Sequence, residues 1–256
     1  MNTTLLKKET TIMTNKTNGN NGNGNGTATL SKRQTLSHLR KRKWNLSFRT
    51  PNQEHFYSNI SDSLITLCSG PAGTGKSYIS VYYALKALAE KNNKIDGIVL
   101  CRPLIPIDNE SIGFLPGEMD NKVDPYMMPY WQAIEKIVGP ALLDGLIKSE
   151  LVKVIPLAFF RGLTLENKII LYDEAQNSTP TAMKSFLTRI GDGSKMVILG
   201  DIDQTDRRAS KNGLLDAIKK LENLQKISIF KFTHLDIVRH QLIGEILQRY
   251  STVEKN

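Results

Sequence analysis

Residues 70–77 read Gly-Pro-Ala-Gly-Thr-Gly-Lys-Ser, a complete match to the phosphate-binding pattern G-x-x-x-x-G-K-[ST]. An apolar run rich in β-branched residues precedes the match at 63–68, and residues 78–88 follow it with apolar side chains at helical spacing. The pattern is therefore expected between a buried strand and the start of a helix, the context in which it binds phosphates. This context disfavours the alternative, a glycine-rich turn without a ligand.

Each part of this loop suits a nucleoside triphosphate. Its glycines allow backbone N–H groups to approach phosphate oxygens, and the helix that follows adds partial positive charge. Lys76 supplies a full charge near the β- and γ-phosphates, and the Ser77 hydroxyl is an oxygen ligand of the kind that Mg²⁺ prefers. We predict ATP and Mg²⁺ as ligands, with nucleotide contacts from Gly70, Pro71, Ala72, Gly73, Thr74, Gly75, Lys76, Ser77 and Tyr78.

Composition divides the 256 residues into two parts. Residues 14–27 form a Gly/Asn tract of low complexity, which cannot bury a core. We therefore expect a disordered, low-complexity and basic tail at 1–49 and one ATPase domain at 50–256. No apolar run is long enough to span a bilayer and we find no signal peptide, so a soluble, intracellular and cytoplasmic protein is expected.

The net charge of +9 comes entirely from the N-terminal part. Residues 1–50 hold ten Lys/Arg and one acid, whereas the rest of the chain holds 24 of each. Basic residues at 32–43, beside Trp44 and Phe48, are typical of a segment that binds phosphate backbones and stacks bases. A solvated linker whose Trp44 docks on the domain is an equally open interpretation.

Predicted strands alternate with predicted helices from residue 63 onward, which indicates an α/β fold with a parallel, helix-covered sheet. The strands are expected at 63–68, 96–101, 151–156, 168–172, 195–199 and 227–232. Helices are expected at 140–148 and, as the last element, at 235–250. Cys68 and Cys101 end two of these strands, and we interpret both as small buried core residues.

Polar residues follow two of the predicted strands, at the sheet edge where open α/β sheets bind ligands. Asp173 and Glu174 end the strand at 168–172; Asp173 would hold the metal, and Glu174 would accept a proton from the attacking water. Gln204 follows the strand at 195–199, and its amide could reach the γ-phosphate. The amide of Gln53, ahead of the first strand, suits the edge of adenine, although this signal is weak on its own.

Three arginines, Arg161, Arg189 and Arg239, lie in motifs that could reach the γ-phosphate, in the same subunit or in a neighbouring one. A surface or structural ion pair is the more frequent role for any single one. We nevertheless expect that at least one contacts nucleotide, and we assign Arg239 to the catalytic group.

Taken together, these motifs resemble the PhoH-like family, P-loop ATPases related to the first motor domain of superfamily 1 helicases. The resemblance covers about residues 50–250, and its IGFLPGE and LTRIG…GDIDQTD blocks go beyond a generic ATPase. The matching segments are GPAGTGKS (70–77), RPLI (102–105), IGFLPGEMDNKVDPY (112–126), PLAFFRGLT (156–164), IILYDEAQN (169–177), FLTRIGDGSKMVILGDIDQTD (186–206), NGLLDA (212–217) and DIVRH (236–240).

The resemblance implies a RecA-like, three-layer αβα sandwich with a mostly parallel sheet, in which one strand separates the strand before the P-loop from the strand before Asp173. It also implies that Asp173 and Glu174 are the Walker B residues, that Gln204 senses the γ-phosphate and that Gln53 reads adenine.

The resemblance leaves partners and the exact activity open. We expect neither the nuclease domain of some relatives nor a second motor domain. We therefore expect a homo-oligomer, possibly a hexameric ring, in which a neighbour completes the site. The leading interpretation is an ATPase whose partner is RNA or single-stranded DNA. A nucleotide-switched nucleic-acid-binding protein with negligible turnover and a P-loop phosphotransferase are the alternatives.

Overall fold

The computed structural model describes residues 30–103, 119–203 and 212–238. Seven helices lie in these ranges: α1 (Lys32–Lys41), α2 (Pro51–Asp62), α3 (Lys76–Ala89), α4 (Met119–Val138), α5 (Pro140–Lys148), α6 (Pro180–Leu187) and α7 (Gly213–Leu221). The described strands are β1 (Ile65–Ser69), β2 (Gly97–Cys101), β3 (Val152–Val154), β4 (Lys168–Tyr172), β5 (Lys195–Gly200) and β6 (Ile227–Lys231). Three short 3₁₀ turns, at Leu157–Phe160, Ala175–Asn177 and His234–Asp236, follow β3, β4 and β6.

These strands form one sheet in the order β3-β2-β4-β5-β1-β6, and every pairing in it is parallel. β5 lies between β1, which leads into the P-loop, and β4, which leads into Asp173. Because all strands run in one direction, their carboxyl ends share one edge and bring distant motifs together. The predicted α/β fold and its strand separation are confirmed.

Side chains alternate between the two faces of the sheet, since successive residues of a strand point in opposite directions. Leu100 and Leu171 face a core that also contains Phe56 of α2 and Leu85 of α3, whereas Tyr172 faces a second core built with α6 and α7. Both cores are fully buried at their centres. Helices therefore cover both faces, which gives the three layers of the predicted αβα sandwich.

Part of the predicted N-terminal tail is helical. α1 lies inside the predicted tail, and Ser31 caps it by accepting from the N–H of Gln34 while the Gln34 side chain accepts from the N–H of Ser31. Leu39 of α1 is fully buried against the domain, where α1 packs on α5. The many basic residues conceal the helical spacing of the few apolar ones. Residues 1–29 lie outside the described part.

The residues between α1 and α2 also contact the domain. Trp44 meets Tyr82 edge-to-face at 5.5 Å between ring centroids, and Phe48 meets Tyr57 at 5.7 Å. Of our two interpretations of this segment, the structure thus shows the docked Trp44. Both rings pack on the domain, while the basic side chains of residues 32, 33 and 40–43 are exposed.

Most predicted boundaries agree with the structure to within a few residues, and α5 occupies the predicted range 140–148. The predicted last helix is an exception at its start, where His234–Asp236 form a 3₁₀ turn and Ile237 is extended. Residues 239–250 of that prediction lie outside the described ranges. Cys68 and Cys101 are both buried, as predicted for core residues. Among the helices that the structure describes, none combines the length and apolar composition of a membrane span.

Candidate nucleotide-binding site

The P-loop joins β1 to α3 through a backbone that favours glycine at three positions. Gly75 caps α3 with φ +91°, Gly73 has φ +89° and Gly70 has φ +146°. A Cβ on Gly70 would lie 2.6 Å from Cβ of Phe232 and 2.8 Å from its carbonyl oxygen. Phe232 follows β6, the strand next to β1, and its N–H donates to the Ser69 carbonyl at 2.8 Å. The close approach of these neighbouring chains therefore requires glycine at position 70.

Lys76 is held inside this loop. Its Nζ donates to the carbonyl oxygens of Gly70 at 2.5 Å and Pro71 at 2.8 Å. Burial lowers the pKa of Lys76, although Asp173, Asp201 and Glu174 act in the opposite direction. Two carbonyl dipoles and three nearby carboxylates thus surround a cation that is largely removed from water. The Lys76 ammonium is therefore already positioned to bind a negatively charged group.

Ser77 and Asp173 come together from α3 and the end of β4. The Ser77 hydroxyl donates to Oδ2 of Asp173 at 2.9 Å, and the N–H of Glu174 donates to Oδ1 at 2.9 Å. Burial raises the pKa of Asp173, and the adjacent Glu174 charge raises it further. The two oxygens that the sequence predicted as metal ligands therefore lie side by side.

Glu174 adopts a left-handed backbone with φ +54°, which turns the chain sharply after the Asp173 position. Its carboxylate is held on both sides: Nη2 of Arg102 lies 3.0 Å from Oε1, and Nε2 of Gln176 donates to Oε2 at 2.7 Å. Arg102 follows β2, and its Nη1 also donates to the carbonyl oxygen of Tyr126 at 2.9 Å. Three different segments therefore fix the orientation of this carboxylate.

Gln176 also connects the end of β4 to the end of β5. It is buried, and its Oε1 accepts from the N–H of Asp201 at 3.1 Å. A Cβ on Gly200 would lie 2.4 Å from that Oε1 and 2.6 Å from Cδ2 of Leu214. Because residue 200 is glycine, the Gln176 side chain has the space to link the two strand ends.

A cavity of about 330 Å³ lies where these segments meet. The P-loop and α3 form one side, and the residues that follow β2, β4 and β5 form the other. Its lining consists of Ala72, Gly73, Gly75, Lys76, Ser77, Tyr78, Arg102, Pro129, Asp173, Glu174, Gly200 and Asp201. Most of the predicted site residues therefore share one cavity at the carboxyl edge of the sheet.

Residues 45–251 match the family model described as PhoH-like protein. The chain belongs to the PhoH-like family. It is 39 % identical over 222 residues to the PhoH-like protein of Mycobacterium tuberculosis (strain H37Rv), which covers 86 % of this chain and 62 % of that relative. Identity to the PhoH-like protein of Bacillus subtilis (strain 168) is 39 % over 207 residues, with 80 % and 64 % covered. Protein PhoH of Escherichia coli (strain K12) is 35 % identical over 206 residues, which cover 79 % of this chain and 57 % of that relative.

This PhoH-like chain therefore spans less than two thirds of the length of these relatives. Two solved structures are similar at lower levels. The large terminase of a thermophilic bacteriophage has a TM-score of 0.44 and 14 % identity, covering 80 % of this chain and 50 % of its own. The Pif1 helicase of Candida albicans has a TM-score of 0.36 and 16 % identity, covering 78 % and 43 %. Likenesses at this level leave the function to be argued from this chain's own residues.

The donor set of the PhoH-like site fits Mg²⁺. Ser77 and Asp173 offer a hydroxyl and a carboxylate, both hard oxygen ligands, within hydrogen-bonding distance of each other. Mg²⁺ in nucleotide sites takes one or two protein ligands and fills its remaining positions with phosphate oxygens and water. A cage of three or more His, Cys, Asp or Glu residues is not found within the described ranges, and such a site does not need one.

Gln53 lies behind the P-loop of this PhoH-like domain. The side chain is buried, its Nε2 donates to the Thr74 carbonyl at 3.0 Å, and its Oε1 accepts from the N–H of Arg49 at 2.8 Å. Gly70, Pro71 and Thr74 likewise shape the loop without lining the cavity. Contact of Gln53 with adenine stays a prediction, and it would require these two hydrogen bonds to be exchanged.

Gln204 and Arg239 lie outside the described residues. The chain just before Arg239 does meet the P-loop, because the N–H of Val238 donates to the Gly73 carbonyl at 3.0 Å. Of the other two arginines, Arg189 donates to the Leu163 carbonyl and to the Thr188 hydroxyl, a structural role, and Arg161 lines a different cavity.

Sequence reasoning did not assign three residues of this site: Arg102, Gln176 and Asp201. All three occur in segments that carry the family resemblance, RPLI, IILYDEAQN and GDIDQTD. Their position directly after strands β2, β4 and β5 was the signal that could have identified them, since ligands bind at that edge.

Proposed function

We propose that this PhoH-like chain is a Mg²⁺-dependent ATPase. The convergence of Lys76, Ser77, Asp173 and Glu174 on one cavity carries the proposal. Triphosphate hydrolysis needs a cation for the β- and γ-phosphates, oxygen ligands for the metal and a base for the attacking water. The cavity brings together residues suited to each of these tasks.

Substrate binding begins with Lys76 and the N–H groups of the P-loop. Lys76 exchanges its contacts with Gly70 and Pro71 for phosphate oxygens, which are stronger acceptors because they are charged. Ser77 and Asp173 would hold Mg²⁺, which neutralises phosphate charge when it is bound. Tyr78 lines the same cavity and stays in place through its contact with Lys136, whose Nζ lies 5.7 Å from the ring centroid.

Hydrolysis then depends on Glu174. A water oxygen attacks the γ-phosphorus, its proton passes to the Glu174 carboxylate, and the bond to the β-phosphate oxygen breaks to leave ADP and inorganic phosphate. Arg102 and Gln176 determine where this carboxylate points. Gln204 as γ-phosphate sensor and Arg239 as a stabiliser of the transferring phosphoryl group complete the proposed catalytic group.

The proposal is tested by phosphate release from purified protein. Lys76→Ala removes the phosphate cation and is expected to abolish ATP binding and turnover, whereas Glu174→Gln binds ATP and does not hydrolyse it. Lys220→Ala and Glu150→Gln, both exposed and outside the cavity, serve as matched controls with wild-type rates. Wild-type turnover in Glu174→Gln would refute the role of Glu174, and transfer of phosphate to an acceptor other than water would favour a phosphotransferase.

We also propose that hydrolysis is coupled to RNA or single-stranded DNA. Six basic residues of α1 and the segment after it are exposed, namely Lys32, Arg33, Arg40, Lys41, Arg42 and Lys43. Because α1 packs on α5, these basic side chains lie on the surface of the domain. Binding of nucleic acid to them can therefore be transmitted to the domain. Positive charge on a fixed surface is sufficient for salt-sensitive binding of a phosphate backbone.

Deleting residues 1–49 would uncover apolar surface under α1, so reversal of charge is the sharper test. Lys32, Lys41 and Lys43 are replaced together by Glu, and Lys91, Lys94 and Lys219, also exposed, form a control with the same change in charge. Only the first variant is expected to lose oligonucleotide affinity. The slope of the logarithm of its binding constant against the logarithm of salt concentration is expected to be smaller by about two. Equal losses in both variants would show that α1 is not the contact.

Assembly into a homo-oligomer, possibly a hexameric ring, is part of this proposal, as is action in the cytoplasm. A neighbouring subunit would supply the second side of the nucleotide site. Light scattering of the purified protein with and without ATP measures this directly. A monomer under both conditions would contradict it.

A further inference from the structure

Gln176 links the carboxylate that activates water in the proposed reaction to the end of the neighbouring strand β5. Its Nε2 donates to Oε2 of Glu174 at 2.7 Å, and its Oε1 accepts from the N–H of Asp201 at 3.1 Å. The side chain is 2 % exposed, so water does not compete for either bond. Because both ends of the amide are engaged, a movement at the end of β5 changes the position of the Glu174 carboxylate.

The space around this amide leaves it little freedom. A Cβ on Gly200 would lie 2.4 Å from Oε1 of Gln176, so the amide packs directly against the backbone of residue 200. Cδ2 of Leu214 lies 2.6 Å from the same Cβ position. A displacement of Gly200 is therefore passed to the amide, because close packing leaves no empty space to absorb it.

Gly200 also contacts the P-loop. Its carbonyl oxygen accepts from the N–H of Gly70 at 3.1 Å, and the Gly70 carbonyl accepts from Nζ of Lys76 at 2.5 Å. In the proposed reaction Lys76 exchanges that carbonyl for phosphate oxygens. A contiguous chain of hydrogen bonds and backbone therefore runs from the Lys76 ammonium, past the end of β5 and through the Gln176 amide, to the Glu174 carboxylate.

We propose that Gln176 is a positioning residue that makes the orientation of Glu174 depend on binding of the triphosphate at Lys76. Gln176 does not line the nucleotide cavity, so it acts through Glu174 and not on the substrate. A triphosphate that draws Lys76 away from the Gly70 carbonyl shifts the backbone there, and packed hydrogen-bonded groups carry the shift to Glu174. Water is then activated when the phosphates are in place. The inference rests on the proposed ATPase activity.

A purely structural role would use the same two hydrogen bonds differently. Buried amides stabilise a fold when they satisfy the polar groups around them. In that case loss of the Gln176 amide would lower stability and leave the rate of the chemical step unchanged. The two roles are therefore separated by kcat and by the dependence of kcat on pH.

The first test removes the link without shortening the side chain. Gln176→Met loses both hydrogen bonds, so kcat is expected to fall by about tenfold to a hundredfold, as for a misplaced catalytic group. The ATP concentration for half-maximal rate is expected to change little, because residue 176 lies outside the cavity lining. Gln225→Met, at an exposed position, is the matched control and is expected to keep the wild-type kcat.

Gln176→Glu gives the sharper measurement, because it keeps an acceptor for the Asp201 N–H and places an oxygen where Nε2 was. At pH 8 both carboxyl groups are ionised and repel each other, so kcat falls. At lower pH two adjacent carboxylates share a proton, and the introduced group then donates to Glu174 as the amide did. The ratio of its kcat to that of wild type is expected to rise about tenfold from pH 8 to pH 6, whereas the ratio for Gln176→Met stays constant.

A double-mutant cycle tests the contact with β5 independently. The Cβ added by Gly200→Ala displaces the Gln176 amide and is expected to lower kcat about tenfold. In the Gln176→Ala background the amide is gone, so the same substitution is expected to have a clearly smaller effect. Leu214 is present in both backgrounds, so the difference between them measures the contact with Gln176. Equal effects in the two backgrounds would overturn the connection to β5.

The outcomes separate this inference from the ATPase itself. If wild type hydrolyses ATP and Gln176→Met loses only stability in urea unfolding, Gln176 is a structural residue and the inference is wrong. A ratio for Gln176→Glu that does not depend on pH would also overturn it. If Gln176→Met does not fold, Gln176→Glu decides, because it keeps one of the two hydrogen bonds. If wild type does not hydrolyse ATP, the ATPase proposal fails and the inference fails with it.

Discussion

Arg102 and Glu174 are 72 positions apart in the sequence, yet Nη2 of the arginine lies 3.0 Å from Oε1 of the glutamate at the nucleotide cavity. The same guanidinium donates to the Tyr126 carbonyl through Nη1. An arginine held at both ends is a rigid support, because its planar fork loses little entropy per bond.

Loss of this support is expected to slow hydrolysis. Arg102→Ala frees the Glu174 carboxylate to rotate, and misplacement of a catalytic group by about 1 Å can reduce kcat by about a hundredfold. We expect a fall in kcat of about tenfold to a hundredfold, with a smaller change in the ATP concentration for half-maximal rate. Arg102→Lys keeps the charge without the fork, so a similar fall in this variant would show that geometry decides. An unchanged kcat in Arg102→Ala would contradict the supporting role.

Asp173, the proposed metal ligand, is expected to reduce the stability of the folded protein. Because burial raises its pKa, the folded state binds this proton more tightly than the unfolded state does. The ionised carboxylate therefore costs stability, and this cost grows as the pH rises through the raised pKa and is absent well below the ordinary value.

Asp173→Asn removes that cost and also removes the proposed metal ligand. We expect no turnover and a higher Tm than wild type at neutral pH, with a gap that closes as the pH falls through the raised pKa to about 4, the ordinary pKa of an aspartate. Thermal unfolding of the nucleotide-free protein measures it, and Asp192→Asn, at an exposed position, is the control. A Tm below that of wild type at neutral pH would show that the hydrogen bonds of Asp173 with Ser77 and the Glu174 N–H outweigh its burial.

The features that could be predicted from the sequence are those that depend on a few consecutive residues. The boundaries of α5 follow from Gly139 and Pro140, which mark the start of a helix locally, and the P-loop follows from eight consecutive residues. The contact between Arg102 and Glu174 depends on which strands are neighbours, and no local pattern contains that information. α1 was missed because helical spacing and high charge point to opposite conclusions, and packing on α5 decides between them.

The Tyr130 hydroxyl is buried and lacks a hydrogen-bond partner among the described residues. Burial raises the pKa of this tyrosine, and the charges of Asp173 and Glu174 add to the shift, so the hydroxyl lies near these two carboxylates. An unsatisfied buried hydroxyl costs about 1–3 kcal/mol. Tyr130→Phe is therefore expected to raise the free energy of unfolding by about 1 kcal/mol and to leave ATPase activity unchanged.

A matched tyrosine gives the opposite expectation. The Tyr57 hydroxyl accepts a hydrogen bond from Nζ of Lys86 at 3.4 Å, so Tyr57→Phe is expected to lower the free energy of unfolding by about 1 kcal/mol. Urea unfolding measures both variants. A loss of activity in Tyr130→Phe with normal stability would instead assign its hydroxyl to the reaction.

Asp236 connects the segment after β6 to α2. Its Oδ2 accepts from the N–H of Thr233 at 2.8 Å, from the Thr233 hydroxyl at 3.0 Å and from Nδ2 of Asn52 at 3.1 Å. Burial raises the pKa of Asp236, but these hydrogen bonds outweigh burial and the pKa is lowered. The carboxylate therefore adds stability that is full above the ordinary pKa and is lost as the pH falls through the lowered one.

Removal of this carboxylate is expected to affect stability and nucleotide binding together. Asp236→Ala should lower the free energy of unfolding by about 1–2 kcal/mol at pH 7, and the difference should shrink as the pH falls from about 4, the ordinary pKa of an aspartate, through the lowered pKa of the folded protein. Two residues further on, Val238 donates to the P-loop carbonyl of Gly73. A loosened segment would release this bond, so the ATP concentration for half-maximal rate should rise more than kcat falls. Asp62→Ala, exposed at the end of α2, is the control, and equal stability of the two variants at pH 7 would show that the three hydrogen bonds of Asp236 contribute nothing.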